Sequence, residues 1–135
     1  MQKMQGFSFK ELFITLSVLV LFGLLAYPAY QNFSRRLVYA DILKSTEPYK
    51  LSIVECYKKN KGLKECDSGK NQIAKNIFEI GPIESLTVTV GIITVIPKEQ
   101  SGILHSDNYI LTPIVKDGEL QWIASGKAIT NAYAS

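Results

Sequence analysis

From Leu12 to Tyr27 the chain carries no charged residue, and Leu, Val, Ile and Phe dominate. Wound as a helix, an apolar run of roughly 16 to 20 residues nearly spans a bilayer core of about 30 Å. The run opens on an acid, Glu11. A carboxylate carried to the centre of lipid costs about 2.5 kcal/mol or more, so an acid at the edge of such a segment needs a partner and is a functional hypothesis by default. The chain has 135 residues, enough for one compact domain plus this appendage. From Gln31 onward it reads as an ordinary soluble domain of about 100 residues with one modest core. A formal net charge of +3 is too small on its own to argue for nucleic acid.

Three readings of the apolar segment compete. A cleaved secretory signal needs small residues one and three positions before the cut. A cut after Ala26 leaves Leu24 at the third position back, and a cut after Ala29 leaves Tyr27 there; both fit poorly. A plain membrane anchor explains the length but not the acid. The third reading takes the flanking residues together. Gly6-Phe7-Ser8-Phe9-Lys10-Glu11-Leu12, then the apolar helix, then Pro28-Ala29-Tyr30-Gln31, resembles the N-terminus of type IV pilins.

The resemblance implies a short basic leader, residues 1–6, cut after Gly6 by a membrane-embedded prepilin peptidase. It implies that the new N-terminal residue, Phe7, becomes N-methylated and that Glu11, fifth in the shortened chain, holds the position of the family's acid. The apolar helix, residues 7–30, would then be retained as a transmembrane and polymerisation element, with residues 31–135 as a periplasmic or extracellular head. Ser8-Phe9-Lys10 departs from the family's usual Thr-Leu-Ile or Ser-Leu-Val, and Lys10 beside Glu11 bears on processing efficiency.

The acid has an energetic rationale in that reading. A cleaved Phe7 bears a positive amine, and a lone Glu11 in lipid would protonate or demand a counter-charge. The Phe7 amine of a neighbouring copy supplies one, offset by about 6 Å along a helix. Such a heterologous contact propagates into a helical filament instead of closing. Gly23 and Pro28 mark the later part of the helix, where the lost proline N–H kinks or locally opens it. The resemblance implies that this stretch loosens on polymerisation.

Beyond the apolar run a helical pattern continues. Phe33, Leu37, Ala40 and Leu43 form one stripe, and Tyr49, Ile53 and Cys56 resume it, predicting an amphipathic helix over a core. Pro48 is expected to kink or interrupt it. Asn60 to Gly81 reads as a polar loop. Four strands are expected: Leu86–Val90, a hairpin turn at Gly91 into Ile92–Ile96, Tyr109–Val115 with Pro113 at an edge or bulge, and Leu120–Ala124 after a type I′ turn at Asp117-Gly118. The fold class is therefore α+β, a long N-terminal helix with a transmembrane half and an amphipathic half packed on a four-stranded antiparallel sheet. The runs LTVTVGIITV and YILTPIVKDGELQW resemble the sheet of the major pilins of Gram-negative bacteria.

Cys56 and Cys66 would meet an oxidising compartment if the domain is translocated, and a pair so placed normally bridges. A metal site would need more ligands than these and the single His105 provide. Many pilins staple the C-terminus with a disulfide, but the matching stretch from Trp122 to Ala128 has no cysteine. Either the Cys56–Cys66 bridge does that work, or the tail is held by packing.

No catalytic constellation, cofactor motif or metal set is expected, and an enzyme is the poorest class. The leading expectation is a structural subunit of a type IV pilus, serving adhesion, twitching motility or DNA uptake. Its partners would be other copies in a helical homopolymer, the prepilin peptidase, the assembly platform and motor, the inner membrane before assembly, and DNA or a host surface. It would be a single-pass inner-membrane protein of a Gram-negative bacterium and then an extracellular pilus component. A pseudopilin of type II secretion is the alternative, disfavoured by Pro28-Ala29-Tyr30-Gln31. A minor DNA-binding pilin is a third, resting on Lys58, Lys59, Lys61 and Lys64, because clustered lysines give salt-dependent phosphate affinity.

Overall fold

The computed structural model describes residues 8–134. A single helix, α1, spans Phe9–Asn60. The chain divides into two compact units, 1–33 and 34–135. Within the first, the large apolar side chains from Phe9 to Tyr30 are exposed, and the most apolar 18-residue stretch buries 0% of its residues. By length and composition this is one helix capable of crossing a membrane.

The second unit is built on a sheet of five strands: β1 (Ile77–Ile80), β2 (Ile83–Thr89), β3 (Ile92–Pro97), β4 (Tyr109–Lys116) and β5 (Glu119–Ser125). They lie in the order β1-β2-β3-β4-β5, every neighbouring pair antiparallel. A short helix, α2 (Lys127–Thr130), follows and packs on β4 and β5. The expectation of four strands is corrected to five. Ile77–Ile80 fell inside the stretch read as loop because it has no period-2 pattern: Phe78, Glu79 and Ile80 are all exposed, and Glu79 has φ 51°. It becomes a strand by pairing Ile77 with Leu86 and Phe78 with Ser85.

The two hairpins expected from turn chemistry are present. Thr89 pairs with Ile92 across Val90-Gly91, and Lys116 pairs with Glu119 across Asp117-Gly118. All four turn residues have positive φ, as a type I′ turn requires. At Gly91, with φ 79°, a Cβ would also crowd Leu63 Cδ2 at 2.9 Å and Pro113 Cγ at 3.2 Å. Pro113 follows its rule too. β4 pairs with β3 through Tyr109, Ile110 and Leu111, whereas its pairing with β5 runs on past Pro113 to Lys116. The residue without an N–H thus sits where one side of the strand is free.

The core lies between α1 and the sheet. Tyr39, Ile42, Thr46, Tyr49, Ile53 and Cys56 form the buried helical face, opposite Ile83, Leu86, Val88, Ile93, Val95, Tyr109 and Leu111 of the sheet. Tyr49, Ile53 and Cys56 fall where expected. Phe33, Leu37 and Ala40 do not: they are exposed, and Leu43 is only partly buried. At 100° per residue those positions lie away from the Tyr39–Ile42–Thr46 line. Pro48 does not interrupt α1. An interior proline costs about 3 kcal/mol, but burying Tyr49, Ile53 and Cys56 just beyond it offsets that cost.

Two tyrosines tie α1 to the loops. The Tyr39 hydroxyl donates to the Asp107 carbonyl, and the Tyr49 hydroxyl donates to the Lys75 carbonyl at 2.5 Å. The Cys56–Cys66 bridge closes, joining the end of α1 to the following loop. That loop clamps the β2–β3 hairpin. Gly91 N–H donates to the Cys66 carbonyl at 2.8 Å, Val90 N–H to Asp67 Oδ1 at 2.7 Å, and Val88 N–H to Ser68 Oγ at 2.7 Å.

The C-terminal segment, which has no disulfide, is held by polar contacts and stacking. Lys127 N–H donates to Asn108 Oδ1 at 3.2 Å, Ala128 N–H to the Asn108 carbonyl at 3.1 Å, and Asn131 Nδ2 to Asp107 Oδ1 at 2.9 Å. Gly126, at φ 101°, permits this approach, because a Cβ there would lie 2.4 Å from the Asn108 carbonyl oxygen. The Tyr133 ring stacks on Tyr39 at 5.9 Å, with the Arg35 guanidinium 5.1 Å from the Tyr133 centroid.

Two stability measurements follow from this arrangement. Reducing the Cys56–Cys66 bridge is expected to destabilise the domain by about 2–3 kcal/mol, read as a lower melting temperature by circular dichroism with and without reductant. The hydroxyls of Tyr39, Tyr49 and Tyr109 are all pushed up from their ordinary value, by burial first and, for Tyr109, then by Glu47. The neutral phenols are favoured in the folded state. Their contribution is therefore full below about pH 10, the unfolded value, and is lost as pH rises towards the folded values. Unfolding followed by Trp122 fluorescence should begin above about pH 10.

Candidate functional site

The start of α1 holds Glu11, the acid singled out by the sequence. Ser8 Oγ accepts from Glu11 N–H at 3.2 Å, and Glu11 Oε2 accepts from Ser8 N–H at 3.3 Å. This reciprocal pair is a capping box: it satisfies two donors that the first turn would otherwise leave open. It also sets a carboxylate at the positive end of the helix dipole. Glu11 thus has a local structural role, and a carboxylate has lone pairs beyond the one this bond uses. The sequence reading misses this cap, although Ser-x-x-Glu spacing is the signal that could have found it.

The hydroxyls within the apolar run are also accounted for. Thr15 Oγ1 donates to the Glu11 carbonyl at 2.9 Å, and Ser17 Oγ donates to the Phe13 carbonyl at 2.9 Å. Turning these groups onto the backbone hides their polarity, which suits a helix surface facing hydrocarbon. Gly23 stands in open space, with nothing within 4 Å of where a Cβ would be, so no packing inside the chain demands it. Pro28 lies within α1, which continues through it. Gly6 and Phe7, the expected cleavage and methylation positions, lie outside the described residues.

Lys58 and Lys59 occupy the last turn of α1, and Lys61 and Lys64 follow; all four are exposed. Cations there complement the negative end of the helix dipole, a role that requires no ligand. Among the described residues no group of three or more His, Cys, Asp or Glu side chains gathers as metal ligands do.

In the second unit, Leu37, Ala40 and Leu51 are exposed on the face of α1 turned away from the core. An amphipathic helix normally leaves that face polar. Apolar surface there, like the bare helix before it, suits contact with another hydrophobic body.

No family model matches the sequence. The chain is 25% identical over 139 residues to the type IV pilus subunit protein TapA of Aeromonas hydrophila, covering 99% of this chain and 98% of the relative. It is 26% identical over 113 residues to the prepilin peptidase-dependent protein D of Escherichia coli, covering 84% of this chain and 75% of the relative. The solution structure of the major type IV pilin PpdD from enterohaemorrhagic E. coli superposes with a TM-score of 0.60 over 70% of each chain, at 23% identity. The chain is similar to type IV pilins in sequence and has the type IV pilin fold. A long N-terminal helix packed on an antiparallel sheet is the pilin arrangement, here with five strands. One relative is named as a pilus subunit and the other as dependent on prepilin peptidase; neither is named as an enzyme.

The capping box gives the pilin-like helix start a direct test. Ser8→Ala should weaken it by about 1 kcal/mol, read as faster amide exchange at Phe9 to Leu12 in detergent micelles. Unchanged exchange would show that Glu11 is held by something other than Ser8.

Proposed function

We propose that this chain is the subunit of a type IV pilus filament, made as a precursor and cut between Gly6 and Phe7. Residues 1–6 act as the leader, residues 7–30 as the membrane and polymerisation helix, and residues 31–135 as the external head. Phe7 is N-methylated after the cut by the processing machinery. Before assembly the apolar helix holds the protein in the inner membrane. The assembly platform and motor then move it into a helical homopolymer, where sister helices replace lipid around it. Gly23 and Pro28 let the helix loosen during that transfer.

One observation carries the reading: an apolar helix surface with nothing buried, led by an acid at its capped start, on a pilin fold. Uncovered apolar area of this extent demands either lipid or identical neighbours. Glu11 selects between neighbours by charge. In the filament its carboxylate neutralises the Phe7 amine of an adjacent copy, which a hydrophobic environment strengthens. The names of the two relatives, one a pilus subunit and one dependent on prepilin peptidase, support the same reading.

Two measurements test it. The mass of protein sheared from cells should correspond to a chain starting at Phe7 with one added methyl group. Glu11→Val should be cleaved normally yet give about tenfold fewer sheared filaments, the loss a buried charge pair of about 1.4 kcal/mol predicts. Normal filament yield from that variant, or a soluble secreted product starting past Ala29, would remove the proposal. Mature protein that stays in the membrane fraction and never reaches the sheared one would point to a pseudopilin.

A further inference from the structure

The second unit has two unmatched features at opposite sides of its sheet. The first is a groove of about 630 Å³ between α1 and the C-terminal segment, lined chiefly by Tyr39, Ala40, Leu43, Ile129 and Tyr133, with Arg36 among its walls. Its C-terminal wall lies on the β4–β5 side, where α2 packs. The volume is within the range that accommodates a bound group, and the lining is mostly apolar. Arg36 is exposed and has no ion-pair partner among the described residues.

The second is the free edge strand β1. Phe78 is 61% and Ile80 60% exposed, flanking an exposed Glu79 whose φ of 51° pushes the backbone out of regular pairing. Glu79 likewise has no ion-pair partner among the described residues. An edge strand left open with two large apolar side chains is a liability that proteins usually blunt. Here the strand is short and bulged, yet its apolar residues are displayed and not hidden.

We propose that these two surfaces fit each other between copies: the Phe78-Glu79-Ile80 knuckle of one copy enters the groove of the next, and Glu79 pairs with Arg36. The chemistry is complementary, two apolar side chains and a carboxylate facing an apolar groove with one unpaired guanidinium. The placement is complementary as well. β1 and β5 are four strand spacings apart, roughly 19 Å, so the knuckle cannot reach its own groove. The contact is therefore heterologous, and heterologous contacts propagate. The other tip that combines exposed apolar and acidic residues, Val115 to Glu119, fits less well. It carries Lys116, which would repel Arg36, and its Gly118 and Glu119 line a small cleft together with Tyr57 and Lys58, which places a second cation beside the acid.

This inference rests on the filament reading and adds a head-to-head contact to the helix-to-helix one. It is tested by charge reversal in cells carrying the full chain, with sheared filament yield as the readout and mature protein in the membrane fraction as the control for folding and processing. Arg36→Glu and Glu79→Arg should each lower filament yield at least fivefold with unchanged membrane levels. Arg36→Glu combined with Glu79→Arg should restore at least half of it, whereas Arg36→Glu combined with Glu119→Arg should not. Single variants with normal yield, or a double variant no better than the singles, would overturn the contact while leaving the filament reading intact. A groove that instead takes a small apolar ligand would show sensitivity to Arg36→Glu and none to Glu79→Arg, which also overturns it. An absence of filaments from the unaltered chain would overturn both readings together.

Discussion

The hydrophobic surface of the first part of α1 is the constraint from which the rest follows. Folding normally removes apolar surface from water, yet from Phe9 to Tyr30 the large apolar side chains stay exposed among the described residues. The helix is nevertheless well formed at its start, through the Ser8–Glu11 box, and the Thr15 and Ser17 hydroxyls are turned onto its own backbone. The helix start is capped while tertiary burial is missing. A segment in that condition is satisfied in hydrocarbon or among other helices and is unsatisfied in water.

The same helix then serves a different purpose with a different face. From Tyr39 to Cys56 its buried line uses two polar residue types as core, and each is accommodated by a hydrogen bond. Tyr39 donates to the Asp107 carbonyl, and Thr46 Oγ1 donates to the Leu43 carbonyl at 2.7 Å. This explains why the sequence pattern misled. Reading by hydrophobicity picks Phe33, Leu37 and Ala40 as the core stripe, because the polar Thr46 breaks the line that runs from Tyr39 and Ile42 to Tyr49. Both stripes are real. One is buried within the domain, and the other is left facing outward, so the helix carries two apolar faces and the pattern alone cannot say which one the sheet covers.

Other parts of the fold were legible for reasons that are equally local. Strands β2 and β3, and likewise β4 and β5, are joined by two-residue turns at positive φ, Val90-Gly91 and Asp117-Gly118. The two cysteines stand close enough to close a short loop; the Ser8-x-x-Glu11 cap signature is there too but goes unread when Glu11 is weighed only as an acid beside lipid. Strand β1 was not legible, because four residues with Glu79 in a left-handed conformation carry no period and exist as a strand only through their partner. The fixing of the tail was not legible either. Asn131 meets Asp107, and Lys127 meets Asn108, across separations of 24 and 19 residues, and nothing in the intervening sequence marks these pairs.

That polar fixing bears on what the head can do. Relatives of the kind the sequence resembles often close this end with a disulfide, whereas here a buried Asp107, 4% exposed, takes Leu104 N–H and Asn131 Nδ2 on its two oxygens. The covalent staple sits at the other end of the head's helix, holding the β2–β3 hairpin through the Cys66 to Ser68 backbone. The C-terminal wall of the groove is therefore positioned by hydrogen bonds and by the Tyr39–Tyr133 stack, interactions each worth about 1 kcal/mol that can yield and re-form. A wall held in this way can adjust when a neighbouring copy docks. A disulfide-locked wall would have to match its partner in advance.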